Sequence, residues 1–204
     1  MKEIMTKDGT VTYHNEKVDE TYHSISGALE EAQKKFVEPC KIKAGDKVLD
    51  ICFGLGYNAA AALEKGAIIT ALEIDGNLKD IIKNTSFPLK SYDIVKKVVA
   101  GNPDERLTII WGDARETIKT LKTIKKSNQY FDAVFLDPFS PKKAPELWTK
   151  EFFREIKQVL KLGAVLTTYS CARIVRDNLK ETGFQVKDGP CVGRKSPSTV
   201  AINL

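Results

Sequence analysis

The sequence predicts an α/β protein built on a doubly wound, mostly parallel sheet. Short apolar runs alternate along the chain with stretches of helical apolar spacing, as strands and crossover helices do in such sheets. One run, at 47–52, leads into Gly54-x-Gly56 and then into an alanine-rich stretch that opens a helix at Asn58. Strand, glycine turn and helix in this order favour a nucleotide-like ligand beyond the carboxyl ends of the strands.

The length and composition fit one α/β domain. With 204 residues and 42% hydrophobic content, the chain can bury one such core but has little room for a second. We expect residues 46–204 to form this domain, and residues 1–45 to form a hairpin and helix extension that contributes to the site. No run of about eighteen apolar residues is present and the N-terminus lacks the apolar core of a signal peptide, so we expect no membrane partner and a cytoplasmic location.

The sequence supplies few metal ligands. Its four cysteines form no C-x-x-C pair, and both histidines precede the glycine turn. We therefore expect buried, apolar cysteines and no metal site. The net charge of +5 is compatible with a nucleic-acid partner, but a lysine-rich surface without such a partner would carry the same charge.

The elements before the glycine turn are predicted to be a hairpin and a helix. Residues 7–13 surround Asp8-Gly9, which is typical of a hairpin turn. Apolar or small residues at 28, 29, 32, 36 and 37 have near-helical spacing and predict a helix that ends at Pro39. Residues 44–46 are then a turn before the first central strand.

The elements after the glycine turn alternate between strand and helix. Apolar runs predict strands at 47–52, 67–73, 107–111, 131–137 and 164–169, and a closing pair at 184–188 and 198–203. Helical spacing predicts helices at 76–83, 91–100, 114–125, 146–160 and 171–181. Breaks are expected at Pro88, 101–104, 138–145 and Gly183. The closing pair is predicted as an antiparallel hairpin at the edge of a seven-stranded sheet.

The glycine turn itself fits two cofactors. Gly54-x-Gly56-x-x-Ala59 matches the dinucleotide pattern G-x-G-x-x-G/A and suggests NAD. Asp50, four residues before Gly54, fits S-adenosylmethionine equally well, because that ligand presents an ammonium group where a dinucleotide presents pyrophosphate. An unpaired buried carboxylate would be costly, so a ligand ammonium near Asp50 is reasonable. This stretch alone leaves both cofactors open.

Two further acids favour S-adenosylmethionine. Glu73 ends the next strand, where a carboxylate can accept hydrogen bonds from both ribose hydroxyls of an adenosine in either cofactor. Asp113, just past the third strand, can accept from the adenine amino group, a second anchor that NAD sites do not usually need. The alternative for Asp113 is an N-cap of the helix that follows Ala114.

Asp137-Pro138-Phe139 is the second informative motif. It resembles the Asp/Asn-Pro-Pro-aromatic element of amino-group methyltransferases, in which the side chain and the next carbonyl accept hydrogen bonds from the target amine while the ring stacks on the base. An amine attacks a methyl group only with its lone pair free, so acceptors that hold it neutral and oriented are useful. The alternative is a turn that merely ends the strand.

Four cations are expected in loops at the same edge of the sheet: Lys142, Lys143, Arg194 and Lys195. Together with Phe139 they would form an RNA surface, since phosphate contact requires cations and base contact requires aromatic rings. The alternative is that these side chains are only solvated.

A family resemblance covers about residues 20–195. The stretch Phe131-Asp-Ala-Val-Phe-Leu-Asp-Pro-Phe-Ser-Pro-Lys-Lys-Ala-Pro-Glu-Leu-Trp148 resembles the pattern D-x-x-F-L-D-[GP]-F-[AS]-P-x-K-x-P-x-[ML]-W. That pattern belongs to the methyltransferase part of MnmC, the bacterial enzyme that completes 5-methylaminomethyl-2-thiouridine at the tRNA wobble position. Further similar segments are 20–31 to E-x-Y-[HY]-S-x-x-G-x-x-E, 167–172 to T-[FY]-[ST]-x-A, 175–184 to V-R-x-x-L-x-x-x-G-F, and 193–195 to G-R-K.

The resemblance implies a Rossmann-like class I methyltransferase that uses S-adenosylmethionine. Its substrate would be the 5-aminomethyl nitrogen of a modified wobble uridine, in the anticodon region of tRNA. Asp137, Pro138 and Phe139 would be catalytic, and Phe139 and the four loop cations would contact the substrate. The implied cofactor contacts are Tyr22, Ser24, Asp50, Phe53, Gly54, Gly56, Asn58, Glu73, Ile74, Gly112, Asp113, Ala114 and Asp137.

Two departures from the family pattern affect these expectations. Cys52 stands where the family has its first glycine after the acid, and we expect it to tighten the loop while leaving Gly54 and Gly56 in place. The flavin-dependent oxidase half of the bifunctional enzyme has no counterpart in this sequence. We therefore expect a standalone methyltransferase whose aminomethyl substrate is supplied by a separate enzyme.

Two other functions remain open on the sequence. An aminopropyltransferase of the spermidine-synthase type shares the fold and uses decarboxylated S-adenosylmethionine, but it would favour a more glycine-rich first loop and a different acidic motif after the fourth strand. A non-catalytic module that binds S-adenosylmethionine and RNA is the second alternative. An intact Asp137-Pro138-Phe139 argues against that module.

Overall fold

The computed structural model describes residues 1–124 and 130–204, in which a three-stranded sheet accompanies a central seven-stranded sheet. The strands are β1 (Lys2–Met5), β2 (Val11–Asn15), β3 (Glu20–Thr21), β4 (Lys47–Ile51), β5 (Ile68–Glu73), β6 (Leu107–Trp111), β7 (Phe131–Leu136), β8 (Leu160–Thr168), β9 (Phe184–Asp188) and β10 (Thr199–Asn203). The α-helices are α1 (Ala28–Glu31), α2 (Glu38–Cys40), α3 (Tyr57–Glu64), α4 (Leu78–Asn84), α5 (Tyr92–Val99), α6 (Ala114–Ile124), α7 (Lys150–Val159) and α8 (Arg173–Glu181).

The central sheet confirms the predicted doubly wound architecture. Its strand order is β6-β5-β4-β7-β8-β10-β9, and the neighbouring strands from β6 to β8 are parallel. The chain builds β4, β5 and β6 outward on one side and then returns to place β7 on the other side of β4. The topology therefore switches between β4 and β7, where open α/β sheets bind their ligands.

The closing hairpin lies at the edge of this sheet, as predicted. β10 pairs antiparallel with both β8 and β9, so it lies between them, and β9 is the edge strand. The last strand along the chain is thus an interior strand of the sheet.

Helices cover both faces of the central sheet. Alternate residues of β4 point to opposite faces, with Val48 in one apolar cluster and Leu49 and Ile51 in the other. The first cluster is completed by the N-terminal helix, α3, α4 and α5, and the second by α6, α7 and α8. No helix in the described ranges is long and apolar enough to cross a membrane.

The N-terminal hairpin is confirmed, whereas the helix after it differs from the prediction. β1 and β2 pair antiparallel around the turn at Asp8-Gly9. The helix does not end at Pro39 but continues to Cys40, and between α1 and α2 it passes through a π-helical segment, Ala32–Val37. Proline lacks the N–H that an α-helix needs and its ring crowds the carbonyl four residues earlier, which is a physical reason for the wider turn just before it.

Two further elements differ from their predicted bounds by more than two residues, and the end of a third lies outside the described residues. The helix predicted at 146–160 is divided into a 3-10 turn, Pro145–Trp148, and α7, because the Thr149 hydroxyl caps α7 by accepting from the Phe152 amide at 3.2 Å. β8 starts at Leu160, directly after α7, and not at 164. The predicted helix at 114–125 is observed to Ile124, and residue 125 lies outside the described residues.

Candidate active site

A cavity of about 790 Å³ opens at the topological switch point. Its wall is formed by the turn after β4, the end of β5, the loop after β7, the end of β8 and the segment from β2 to the N-terminal helix. The volume is in the range of small-molecule sites, and the position is the one that the sequence predicts.

The glycine turn is held in shape by tight packing at Gly56. This residue has φ of 78°, and a Cβ there would lie 2.5 Å from the Phe53 ring and 2.8 Å from Val95. Phe53 is therefore part of the buried layer under the turn and does not line the cavity. Cys52, where the resembled family has glycine, lines the cavity with a left-handed φ of 65°.

The Glu73 carboxylate is fixed by three backbone amides. Oε2 accepts from Gly54 at 2.8 Å, and Oε1 accepts from Ile74 and Asp75 at 2.8 Å each. Burial raises the pKa of Glu73, and these amide bonds oppose that rise. A carboxylate has about four acceptor positions, so this arrangement leaves about one for a ligand hydroxyl, fewer than the two for which we predicted it.

Asp50 is a buried carboxylate without a hydrogen-bond partner in the described part of the chain. The residue is completely buried, and neither of its side-chain oxygens is bonded. Burial, with the nearby charge of Glu73, raises the pKa of Asp50 to about 8, and the Ala59 amide, which is near the carboxyl group but outside hydrogen-bond geometry, partly opposes this rise. A buried carboxyl group without a hydrogen-bond partner behind a cofactor-type turn fits a ligand that brings a positive charge, as the ammonium group of S-adenosylmethionine does, because that charge would stabilise the ionised form.

Asp137 lies at the end of β7 and is anchored from two sides. Asn58 Nδ2 donates to Asp137 Oδ2 at 2.8 Å, and the Asp137 amide donates to the Ile51 carbonyl at 3.1 Å. Burial raises the pKa of Asp137 well above its usual range, the charge of Glu31 adds to this rise, and the Asn58 bond opposes it.

The next two residues of the motif are also fixed through their carbonyl groups. The Tyr169 hydroxyl donates to the Pro138 carbonyl at 3.0 Å, and Trp148 Nε1 donates to the Phe139 carbonyl at 2.9 Å. The Phe139 ring lies 5.2 Å from the Tyr22 ring in a tilted arrangement. The loop therefore presents a carboxylate, a carbonyl and an aromatic pair to one cavity.

The N-terminal segment closes this cavity. Glu20 accepts from the Ser140 amide at 2.8 Å and also from the Ser140 hydroxyl. His23 stacks on Tyr57 with 4.7 Å between ring centroids, and burial lowers its pKa to about 4, so it is neutral at physiological pH. The segment thus binds both the loop after β7 and the start of α3.

The cavity brings together about half of the residues that the sequence predicts for the site. Those that line it are Tyr22, Ser24, Gly54, Glu73, Ile74, Asp137, Pro138, Phe139, Lys143 and Arg194. Lys143 forms an ion pair with Asp19 at 3.6 Å, and Arg194 donates to the Tyr169 carbonyl.

The other predicted residues lie off the cavity wall. They are Asp50, Phe53, Gly56, Asn58, Gly112, Asp113, Ala114, Lys142 and Lys195. Asp113 accepts from Arg115 Nη2 at 2.5 Å and from the Arg115 amide at 2.9 Å, so in this structure it caps α6, the alternative that the sequence left open. Arg115, two residues along the chain, satisfies the carboxylate that we expected to be free for adenine.

Several wall residues escaped the sequence prediction. Glu31 and Lys35 lie within the apolar stripe of the N-terminal helix, between the small and aromatic positions 28, 32 and 36. Charged residues on an apolar stripe are a signal that could have identified them. Tyr169 directly follows β8 at the carboxyl edge of the sheet, where polar side chains also mark ligand sites.

Comparison with known proteins identifies the class. The sequence profile of a family described as S-adenosyl-L-methionine-dependent methyltransferase matches residues 73–203. The fold and the site together thus define a methyltransferase that uses S-adenosylmethionine, and the chain belongs to this family. The crystal structure of MnmC2 from Aquifex aeolicus is similar, with a TM-score of 0.80 and 33% identity, over 98% of this chain and 69% of that chain.

Two curated relatives extend the comparison. An uncharacterized protein of Methanocaldococcus jannaschii is 36% identical over 213 residues, which cover 97% of this chain and 58% of that protein. The tRNA 5-methylaminomethyl-2-thiouridine biosynthesis bifunctional protein MnmC of Leptospira interrogans is 25% identical over 224 residues, covering 94% of this chain and 34% of that protein. The chain therefore spans less than two thirds of the length of either relative.

Spermidine synthases share the fold. The enzyme from Thermotoga maritima superposes with a TM-score of 0.62 at 16% identity, over 95% of this chain and 68% of that chain. At this level of identity the likeness concerns the fold alone.

Proposed function

We propose that this methyltransferase acts on the primary amine of a 5-aminomethyl group, carried by a modified wobble uridine in tRNA. The observation that carries the proposal is the Asp137-Pro138-Phe139 loop, which turns a carboxylate, a carbonyl and an aromatic ring toward the cofactor cavity. The name of the Leptospira interrogans relative, a tRNA 5-methylaminomethyl-2-thiouridine biosynthesis bifunctional protein, supports a tRNA substrate of this kind.

Methyl transfer to nitrogen requires a neutral amine next to a methyl donor. When bound, S-adenosylmethionine would supply a methyl group on a sulfonium, whose carbon–sulfur electron pair would go to sulfur as the amine nitrogen bonds the methyl carbon. The Asp137 carboxylate and the Pro138 carbonyl would accept the N–H groups of the amine and aim its lone pair. Phe139 and Tyr22 would hold the uracil ring by stacking, as single-stranded RNA bases are held in many proteins.

The cofactor would bind along the glycine turn. Asp50 would complement its ammonium group, and Glu73 would accept from a ribose hydroxyl at its remaining acceptor position. Tyr22, Ser24, Gly54 and Ile74 would contact it as cavity-wall residues. Phe53, Gly56, Asn58, Gly112 and Ala114 would act by holding the turns, since they lie off the wall. For Asp113 to accept from adenine, the Arg115 side chain would have to release it.

The remaining expectations from the sequence belong to the same proposal. Residues 1–45 would form an extension that completes the site of the 46–204 domain, which is supported by the Glu20–Ser140 contacts. Lys143 and Arg194 on the cavity wall, with the exposed Lys142 and Lys195, would bind phosphates of the anticodon region. A separate enzyme would supply the aminomethyl uridine, and the reaction would take place in the cytoplasm with its tRNA.

Mass spectrometry of nucleosides tests the proposal directly. The protein is incubated with S-adenosylmethionine and tRNA that carries the aminomethyl uridine, and the tRNA is then digested. We expect the aminomethyl nucleoside to gain one methyl group. Absence of this product, or formation of a polyamine when decarboxylated S-adenosylmethionine and a diamine are supplied instead, would contradict the proposal.

The Asp137→Ala variant provides the matched control for this reaction. We expect it to lose methyl transfer, because the amine loses an acceptor that orients it, by a factor on the order of 10² to 10⁴. S-adenosylmethionine should still bind, as measured by calorimetry, because the glycine turn is intact. Full residual turnover would exclude Asp137 as a catalytic residue.

A further inference from the structure

One ion pair of the N-terminal helix is buried on the cavity side. Lys35 Nζ lies 2.6 Å from Glu31 Oε1, and their side chains are 4% and 9% exposed. The other carboxylate oxygen of Glu31 accepts from the Ser24 amide at 2.7 Å. Both side chains line the same cavity as Asp137.

The neighbouring pair on the same helix shows that this burial is not needed for the helix. Glu30 and Lys34 have the same four-residue spacing and a distance of 2.8 Å, but their side chains are 37% and 51% exposed. Removing an ion pair from water costs free energy that its attraction often fails to return, so an apolar pair would stabilise the core at least as well. The buried pair therefore has a reason beyond stability.

Asp137, which lines the same cavity, offers such a reason. Its carboxylate shares the buried cavity wall with Glu31 and Lys35, and the three groups interact electrostatically. The charge of Glu31 favours a proton on Asp137, and the charge of Lys35 disfavours it. A carboxylate that must accept a proton from a substrate thus shares its cavity wall with one charge of each sign.

We propose that Glu31 and Lys35 are positioning residues that act through Asp137 and set the charge that its carboxylate carries when the amine arrives. The inference rests on the proposed function, in which the substrate enters as an ammonium ion. One N–H bond of that ion breaks, its electron pair stays on nitrogen, and the proton moves to an Asp137 oxygen. Glu31 makes Asp137 a better acceptor, Lys35 favours its ionised form beforehand, and the proton passes to water when the product leaves.

The first experiment titrates Asp137 without cofactor or substrate. Its carboxyl carbon is followed by ¹³C NMR in the full chain and assigned by its absence in Asp137→Asn. We expect the pKa of Asp137 to fall in Glu31→Gln and to rise in Lys35→Met. The matched controls Glu30→Gln and Lys34→Met change the exposed pair in the same way and should leave the titration unchanged.

The second experiment measures kcat against pH with aminomethyl tRNA. Because Asp137 accepts only when ionised, the rise of kcat with pH should move to lower pH in Glu31→Gln and to higher pH in Lys35→Met. A helix that was merely loosened would lower kcat in both variants without opposite shifts.

Other charged and titratable groups around Asp137 must stay constant in this comparison: Glu20, Asp50, Cys52, Glu73, Tyr169 and Arg194. Titrations of Glu31→Gln and Lys35→Met that coincide, or that move in the same direction, would overturn the proposal. If Lys35→Met does not fold, Glu31→Gln alone tests the proposal, and an unchanged or raised pKa of Asp137 in that single variant would overturn it. Failure of tRNA methylation with these NMR shifts intact would refute the proposed substrate alone.

Discussion

The Asp50 carboxylate connects the stability of the ligand-free protein to pH. Its pKa is raised from the ordinary 3.8 to about 8 in the folded state, chiefly by burial. Between these values the folded protein holds a proton that the unfolded chain has lost, so this group's contribution to stability falls as the pH rises from about 4 to about 8.

The Asp50→Asn variant should remove this dependence. We expect its free energy of unfolding, measured with denaturant in the absence of ligand, to exceed that of the wild type at pH 8, with a smaller difference at pH 4. The exposed Asp80→Asn serves as a control that should run parallel to the wild type. If the free energies of unfolding of the wild type and Asp50→Asn changed with pH in parallel, the Asp50 carboxylate of the wild type would not be desolvated in the folded protein.

The left-handed backbone at Cys52 favours glycine, the residue that the resembled family pattern has at this position. A left-handed φ of 65° costs an L-residue about 1–2 kcal/mol, which glycine avoids. We predict that Cys52→Gly is more stable than Cys52→Ala by about 1 kcal/mol, because both lose the thiol and only glycine relieves the strain. Thermal unfolding of the pair measures this, and equal stability would show that the turn has relaxed.

Individual residues also show how far the site could be predicted from the sequence. Glu73 and Asp137 line the cavity as predicted, because a strand brings its terminal residues to a known edge of the sheet, whereas Asp50 is completely buried and lies off the wall. Asp113 lies off the cavity wall, and the same rule did not give its partner, because the flexible Arg115 side chain reaches back to it. Local competition of this kind depends on rotamers, which spacing in the sequence does not specify.

Among the elements, β3 holds the loop after β7 in place through hydrogen bonds. Glu20 in β3 accepts two hydrogen bonds from Ser140, one from its amide and one from its hydroxyl. Glu20→Ala should therefore loosen residues 138–144 by about 1.5–3 kcal/mol, the range for hydrogen bonds to a charged group. Hydrogen exchange of these amides should speed up, and kcat should fall.

The Ser140→Ala variant separates the contributions of these two hydrogen bonds. It removes the hydroxyl bond and keeps the amide bond, so exchange in 138–144 should increase less than in Glu20→Ala. Exchange that is unchanged in both variants would show that the loop is held by Tyr169 and Trp148 alone.

The elements differ in how well their sequence predicts them. β6 and β9 were predicted to the residue, because a strand is bounded by the end of its apolar run or by a glycine. The division at Thr149 and the π-helical segment before Pro39 were missed. Each depends on a single hydrogen bond, one that the Thr149 hydroxyl makes and one for which Pro39 lacks the N–H. The apolar spacing in the sequence is nearly the same with or without these interruptions.

At the scale of the whole molecule, binding of tRNA should depend on salt. We expect the association constant to fall as salt rises, and the slope of its logarithm to decrease by about one for each phosphate contact removed. Lys143→Ala and Arg194→Ala remove cations from the cavity rim, and fluorescence anisotropy at several salt concentrations measures the slopes.

Lys65→Ala is the control for this measurement. Lys65 is exposed and follows α3, whose other end starts at the glycine turn, so it lies at the opposite edge of the sheet from the cavity. Its slope should equal that of the wild type. A flat salt response for the wild type would instead indicate a small-molecule substrate.

The whole-molecule arrangement also limits what the sequence alone could give for the site. Glu20 and Ser140 are 120 residues apart, and neither belongs to a strand end of the central sheet. Their contact exists only because the small sheet folds back over the cavity. The central sheet was therefore predictable from local patterns, whereas the contacts that hold the N-terminal extension over its ligand edge were not.

The position of β10 has a consequence for how the protein is made. β8 pairs with β7 on one side and with β10 on the other, and β9 pairs with β10 alone among the described strands. Both β8 and β9 therefore lack a partner strand until β10 is present. As the chain leaves the ribosome, β8 and β9 emerge first, so an open strand edge persists until residues 199–203 arrive. Such edges invite pairing with other chains. Nascent chains stalled before β10 should thus be the forms of this protein that depend most on chaperones.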